Sequence, residues 1–141
     1  MKKSIILFNQ NQVRRHWDEE KELWYFSVVD VVGILTESEN AKDYWYRTKK
    51  RLSDEEKVEV STICRRLKLI ASDGKMRLTD CASTEGILRI IQSIPSPKAE
   101  PFKKWLAKVG YERIEEIEDP ELAFDRAMQT YLKKGYSKEW I

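Results

Sequence analysis

Four isoleucines constrain what this chain can fold into more than any other feature. Ile87, Ile90, Ile91 and Ile94 recur at helical spacing, and Leu88 widens their face. An apolar face this wide belongs in a core, so the helix carrying it has to be covered. Pro95 and Pro97 follow at once, and proline disfavours a helical conformation in the residue before it. A second helix then puts Phe102, Trp105, Leu106 and Val109 on one side and Lys103, Lys104 and Lys108 on the other, with Gly110 as its stop. Two helices joined by so short a turn should pack together, with Trp105 in the core, and other elements should cover the remaining apolar area.

Those elements lie upstream. Ser4 to Asn9 is rich in β-formers and reads as a strand, and Asn9-Gln10-Asn11 as a turn. Val13, Arg15 and Trp17 alternate with Arg14 and His16, as a half-buried strand would. Asp18 to Glu22 is a charged connection, and Leu23 to Phe26 a third strand of one antiparallel sheet. Ser27 is placed to cap a helix with Asp30 in its first turn and Val28, Val31, Val32 and Leu35 on its apolar side. So β-branched a helix has poor intrinsic propensity and depends on packing.

After the polar turn Thr36 to Glu39, Asn40 caps a helix from Ala41 to Leu52. Its buried stripe is Ala41, Tyr44, Trp45, Thr48 and Leu52. Lys42, Tyr46, Lys49 and Lys50 lie on another face, with Arg47 and Arg51 beside them. The pair is a loose helix-turn-helix, whose second helix commonly enters a DNA major groove. Short-turn helix pairs also occur in proteins that never touch DNA.

Ser53 to Lys57 begins a short helical or loop piece. The alternating runs Arg65–Ala71 and Lys75–Thr79 flank Ser72-Asp73-Gly74, a strong hairpin signal. Arg66, Lys68, Lys75 and Arg77 would line one edge of that ribbon. They would serve either to track phosphates or to keep the strand edge soluble. Thr79 or Asp80 would cap the isoleucine helix. Tyr111 to Glu118 reads as an acidic connector, followed by Asp119 as N-cap, Pro120 at the first helical position, and a helix to about Lys134 that Gly135 stops. Ser137 would begin a further helix. From this punctuation a domain over residues 1–118 is expected, followed over 119–141 by the start of a helical extension expected to be truncated.

Net charge is only +2 over 141 residues, so the total does not announce a nucleic-acid binder. The distribution is more informative. Lys42 to Arg51 holds five basic residues against Asp43, a net of +4, whereas Glu112 to Asp125 holds seven acids against Arg113, a net of −6. Two surfaces with different partners, or two solvated helix faces, would give this pattern. Cys64 and Cys81 match no metal or redox spacing, which suits free thiols in a reducing cytosol. No apolar run is long enough to span a membrane or to form a signal-peptide core, so a cytoplasmic protein is expected. His16, the only histidine, sits in a strand beside Arg14 and Arg15. There is no phosphate-cradling glycine loop and no zinc spacing. Glu115, Glu116, Glu118 and Asp119, adjacent in a connector, do not converge as metal ligands would. With no catalytic constellation, neither an enzyme nor a cofactor is expected.

Two segments carry a resemblance. Glu85-Gly86-Ile87-Leu88-Arg89-Ile90-Ile91 and Lys98-Ala99-Glu100-Pro101-Phe102-Lys103-Lys104-Trp105-Leu106 resemble the second half of the Bro amino-terminal domain, found in phage antirepressors and baculovirus Bro proteins. The strand, short helix, turn, helix order with Asp30-Val31 resembles its first half. The wording on through Val109-Gly110-Tyr111-Glu112-Arg113-Ile114 is similar to the DNA-damage-inducible protein D-like branch. The resemblance implies a DNA-binding or transcription-regulating module.

The expectation is therefore an α+β fold: a small antiparallel sheet, a helix-turn-helix-like pair, a β-hairpin and a closing helix pair. Duplex DNA would be held by phosphate contacts from Lys42, Lys49, Lys50 and Arg51 and by groove contacts from Tyr46 and Arg47. Arg66, Lys68, Lys75 and Arg77 would be second-rank contacts. The competing reading is an antirepressor-type module that binds a repressor or repair protein without touching DNA. The oligomeric state is left open.

Overall fold

The computed structural model describes residues 13–141, and the strand expected at Ser4 to Asn9 and its turn lie outside them. The described chain divides into two compact units, up to Glu100 and from Pro101.

The first unit is built on a four-stranded antiparallel sheet. Its strands are β1 (Arg15–Asp18), β2 (Leu23–Ser27), β3 (Arg65–Ile70) and β4 (Met76–Ser83), in the order β1-β2-β4-β3. Between β2 and β3 run α1 (Val28–Thr36) and α2 (Ala41–Asp54), and α3 (Thr84–Ile91) follows β4. The fold is α+β, as expected.

Local chemistry sets most boundaries. The Ser27 hydroxyl accepts the Asp30 N–H and opens α1, and the Asn40 side chain accepts the Asp43 N–H and opens α2. Val28, Val31 and Val32 of α1 are buried, with Leu35 half-buried. In α2 the buried residues are Trp45, Thr48 and Leu52, with Ala41 and Tyr44 half-buried at the edges of the stripe. Gly74, at φ 82°, supplies the left-handed residue of the turn between β3 and β4.

Ile87, Ile90, Ile91 and Ile94 are all buried, as their spacing requires. The start of their helix differs from expectation. Neither Thr79 nor Asp80 caps it. The strand continues, because Cys81, Ala82 and Ser83 pair with Ser27, Phe26 and Tyr25 of β2, and the Ser83 hydroxyl then accepts the Gly86 N–H. Phe26 and Ala82 are buried opposite each other on one face of the sheet. Tyr25, Leu69 and Cys81 cluster with Leu67 on the other, following the period of two along each strand.

The second unit holds α4 (Glu100–Glu118) and α5 (Glu121–Lys133). Gly110 does not stop α4, and Tyr111 to Glu118 is helix rather than connector. The helical preference of Glu112, Arg113, Glu115 and Glu116 carries the chain through a single glycine. Trp105 is not a core residue: it is 42% exposed and meets Phe102 with ring centroids 5.5 Å apart. The Asp119 carboxylate accepts the Glu121 N–H at the start of α5. Gly135, at φ 94°, ends it, with the Gly135 N–H on the Leu132 carbonyl and the Tyr136 N–H on the Tyr131 carbonyl. Ser137 opens only a single turn, and Trp140 stacks on Tyr136 at 4.3 Å.

Candidate nucleic-acid interface

The expected basic helix exists, and its outer face is continuous. Lys42, Arg47 and Lys50 are exposed, and Tyr46 among them is 62% exposed. This face borders a groove of about 950 Å³ whose other wall includes Arg66, Ile70, Arg77 and Leu78 of the β3–β4 hairpin. Two regions that are far apart in sequence thus share one concave surface.

Of the ten candidate residues, Lys42, Tyr46, Lys49, Arg66 and Arg77 line the groove, and the ten are not equivalent. Lys49 is half-buried, and its ammonium donates to Asp80 at 2.8 Å. The same Asp80 oxygen accepts the Trp45 indole N–H at 2.8 Å, and Arg66 approaches the other oxygen at 3.8 Å. Burial acts to raise the Asp80 pKa, but the hydrogen bonds from Lys49 and Trp45 outweigh it and hold the carboxyl below its ordinary value. Arg51 projects from the far side of α2 and donates to the Ser93 carbonyl. Lys49 and Arg51 therefore have structural partners within the fold. Arg47 pairs with Asp43 one turn back at 3.2 Å, an exposed contact that solvent weakens.

On the hairpin, the register aligns Lys68 with Leu78 and Ile70 with Met76, so Arg66 and Lys68 share a face with three exposed apolar side chains. Arg77 pairs across from Leu69 on the other face and binds Asp73, while Lys75 lies in the turn. Arg77 holds the Asp73 carboxyl below its ordinary value.

Sequence reasoning missed Arg14. Its guanidinium grips Asp30 with Nε at 2.9 Å and one terminal nitrogen at 3.1 Å, and donates to the Ser27 hydroxyl and to the Ile70 carbonyl at the hairpin end. The Asp30 carboxylate raises the Arg14 pKa in return. One side chain thus ties the start of α1 to the hairpin wall of the groove. The alternating pattern around Arg14 gave no sign of this, because its partners are up to 56 residues away.

Burial pushes the Cys64 thiol up to about 12 and the Cys81 thiol to about 11, so both are protonated and unreactive at neutral pH. Among the described residues no cluster of His, Cys, Asp or Glu could hold a metal ion, and no helix is long and apolar enough to cross a membrane.

No curated protein and no solved structure matches the chain. A family model does: the BRO family N-terminal domain matches residues 12–113, a span that holds the whole described sheet, all ten candidate residues and most of α4. The chain belongs to the BRO family, through the N-terminal domain of that family.

Proposed function

We propose that this domain binds duplex DNA as part of a regulatory protein, with α2 as the helix that approaches the groove. The observation that carries the reading is the outer face of α2, where Lys42, Arg47 and Lys50 surround an exposed tyrosine beside a groove walled by a basic hairpin. Lysines on a helix neutralise phosphates and set orientation, while Arg47 and Tyr46 have the reach and chemistry for base edges. Arg66 and Lys68 extend the positive track along one face of the hairpin, while Arg77 on the other face and Lys75 at the turn are second-rank contacts. Lys49 and Arg51, held by Asp80 and Ser93, contribute field rather than direct contacts. The wording from Val109 to Ile114 favours the DNA-damage-inducible protein D-like branch of the family, and hence a phage-related or damage-linked regulator.

A second reading has its own support. Ile70, Met76 and Leu78 expose an apolar patch on the hairpin, and Asp43, Asp73 and Asp80 offset part of the positive charge. Such a surface suits an antirepressor-type module that binds a protein. A mobility-shift titration on duplex DNA at several salt concentrations separates the two. A shift that weakens steeply with salt supports DNA binding. No shift, together with a stoichiometric complex with a repressor or repair protein, supports the second.

A further inference from the structure

We propose that Asp80 limits sequence-independent DNA binding, as a positioning residue that holds the Lys49 ammonium away from phosphates. The inference rests on the DNA-binding reading and assigns one groove residue the task of restraining that binding.

Five cations line the groove: Arg14, Lys42, Lys49, Arg66 and Arg77. Four of them meet a carboxylate. Arg14 is bound by Asp30, and Arg77 by Asp73 in the turn. Lys49 and Arg66 share Asp80, at 2.8 Å and 3.8 Å. Among the described residues, Lys42 alone of the five forms no ion pair. Asp30 and Asp73 each serve one arginine. Asp80, on β4, instead meets a cation from each wall, Lys49 from α2 and Arg66 from β3.

The fold asks less of this position than a charge. The Asp80 Oδ2 accepts the Trp45 indole N–H at 2.8 Å, and a neutral oxygen would accept it as well. The same oxygen accepts the Lys49 ammonium at 2.8 Å, and that contact is the one that needs an anion. Lys42 and Lys49 are seven residues apart on α2, two helical turns, and both line the groove. Released from Asp80, Lys49 would continue Lys42 into a row of two phosphate contacts. Sequence-independent affinity grows with every phosphate neutralised, whereas base edges supply the discrimination. Silencing Lys49 lowers the first and leaves Tyr46 and Arg47 free to supply the second. A carboxylate beside the phosphate path also repels DNA held in the wrong register.

The test is fluorescence anisotropy of a labelled random-sequence duplex titrated with the full chain across a salt series, with circular dichroism reporting the fold. Asp80→Asn keeps the shape and removes the charge. It should bind roughly fivefold more tightly at about 0.1 M salt, with a slope of log affinity against log salt steeper by about 0.9. Asp80→Glu keeps the charge and should retain the wild-type slope. A role confined to shape would reverse that order. Lys49→Gln should flatten the slope more in the Asp80→Asn background than in the wild type. Asp80→Asn folded but with wild-type or weaker affinity and an unsteepened slope would overturn the proposal and leave the DNA-binding reading standing. Equal effects of Lys49→Gln in the two backgrounds would do the same. Loss of the fold in both Asp80→Asn and Asp80→Gln would also overturn it, because the charge would then serve the fold. A wild type that binds no duplex at any salt would overturn the proposal and the DNA-binding reading together.

Discussion

The Trp45 indole N–H donates to the Asp80 carboxylate across 2.8 Å and joins α2 to β4. Lys49 donates to the same oxygen and lies 5.8 Å from the Trp45 ring centroid, so one carboxylate, one cation and one aromatic ring fix how the basic helix sits against the hairpin. Asp80→Asn keeps an acceptor for Trp45 but removes the charge. It should cost about 1–3 kcal/mol, the usual worth of a hydrogen bond to a charged group. The Asp80 pKa is lowered in the folded state, so the unfolded state binds the proton more readily. The stabilisation is then present above the ordinary carboxylate range and is lost as pH falls through the folded-state value. Melting temperature followed from pH 7 downward should fall less steeply for Asp80→Asn than for the wild type. Identical acid slopes would mean the carboxylate is not a stabilising anion.

Arg14→Ala should release the hairpin end from α1. The pair with Asp30 is partly exposed, with the arginine side chain 37% accessible, so solvent screening brings its worth down to about 1 kcal/mol. Urea denaturation measures the loss. Amide exchange should quicken at Ala71 and Gly74, whose hydrogen bonds close the turn. Unchanged stability and exchange would show that the hairpin is held without Arg14.

Two tryptophans on helices with similar sequence patterns should differ. Trp45, at 3% exposure, should cost about 3–5 kcal/mol when cut to alanine. Trp105→Ala should cost less than about 1 kcal/mol. Thermal or chemical denaturation of the two variants makes the comparison, and a larger loss for Trp105 would contradict the placement of the core.

A fragment ending at Glu118 should keep the fold of the first unit. Leu52, Ile87, Ile90, Ile91, Ile94 and Ala99 are among its buried side chains, and all precede Pro101. Circular dichroism and a cooperative melt should survive the truncation. An unfolded or insoluble fragment would mean that α5 is needed for the core.

Much of this was readable in advance, for local reasons. Ser27 and Asn40 announce their helices because an N-cap acts within three residues, and Asp73-Gly74 announces the hairpin because the turn demands a left-handed residue. The errors lie where distant partners decide. Nothing near Cys81, Ala82 and Ser83 says strand; β2, more than fifty residues earlier, makes it one. Gly110 looked like a stop because the pattern of α4 changes there, yet the helix continues with its acids turned partly toward Arg126 of α5. At the candidate site the basic residues of α2 were legible as a group. Their sorting into exposed Lys42, Arg47 and Lys50 and tethered Lys49 and Arg51 was not, because Asp80 and Ser93 are supplied by other elements.

The most direct measurement is fluorescence anisotropy of labelled duplex DNA titrated with the wild type and with a variant carrying Lys42→Glu, Arg47→Glu and Lys50→Glu, at several salt concentrations. These three side chains are exposed and off the Trp45, Thr48, Leu52 stripe, so circular dichroism should report an intact fold. Each phosphate contact adds about −0.9 to the slope of log affinity against log salt for B-DNA. The account predicts nearly abolished binding for the variant and a slope flatter by about two units, from the phosphate contacts of Lys42 and Lys50. Wild-type affinity and slope in the folded variant would contradict it and remove α2 from the DNA-binding surface.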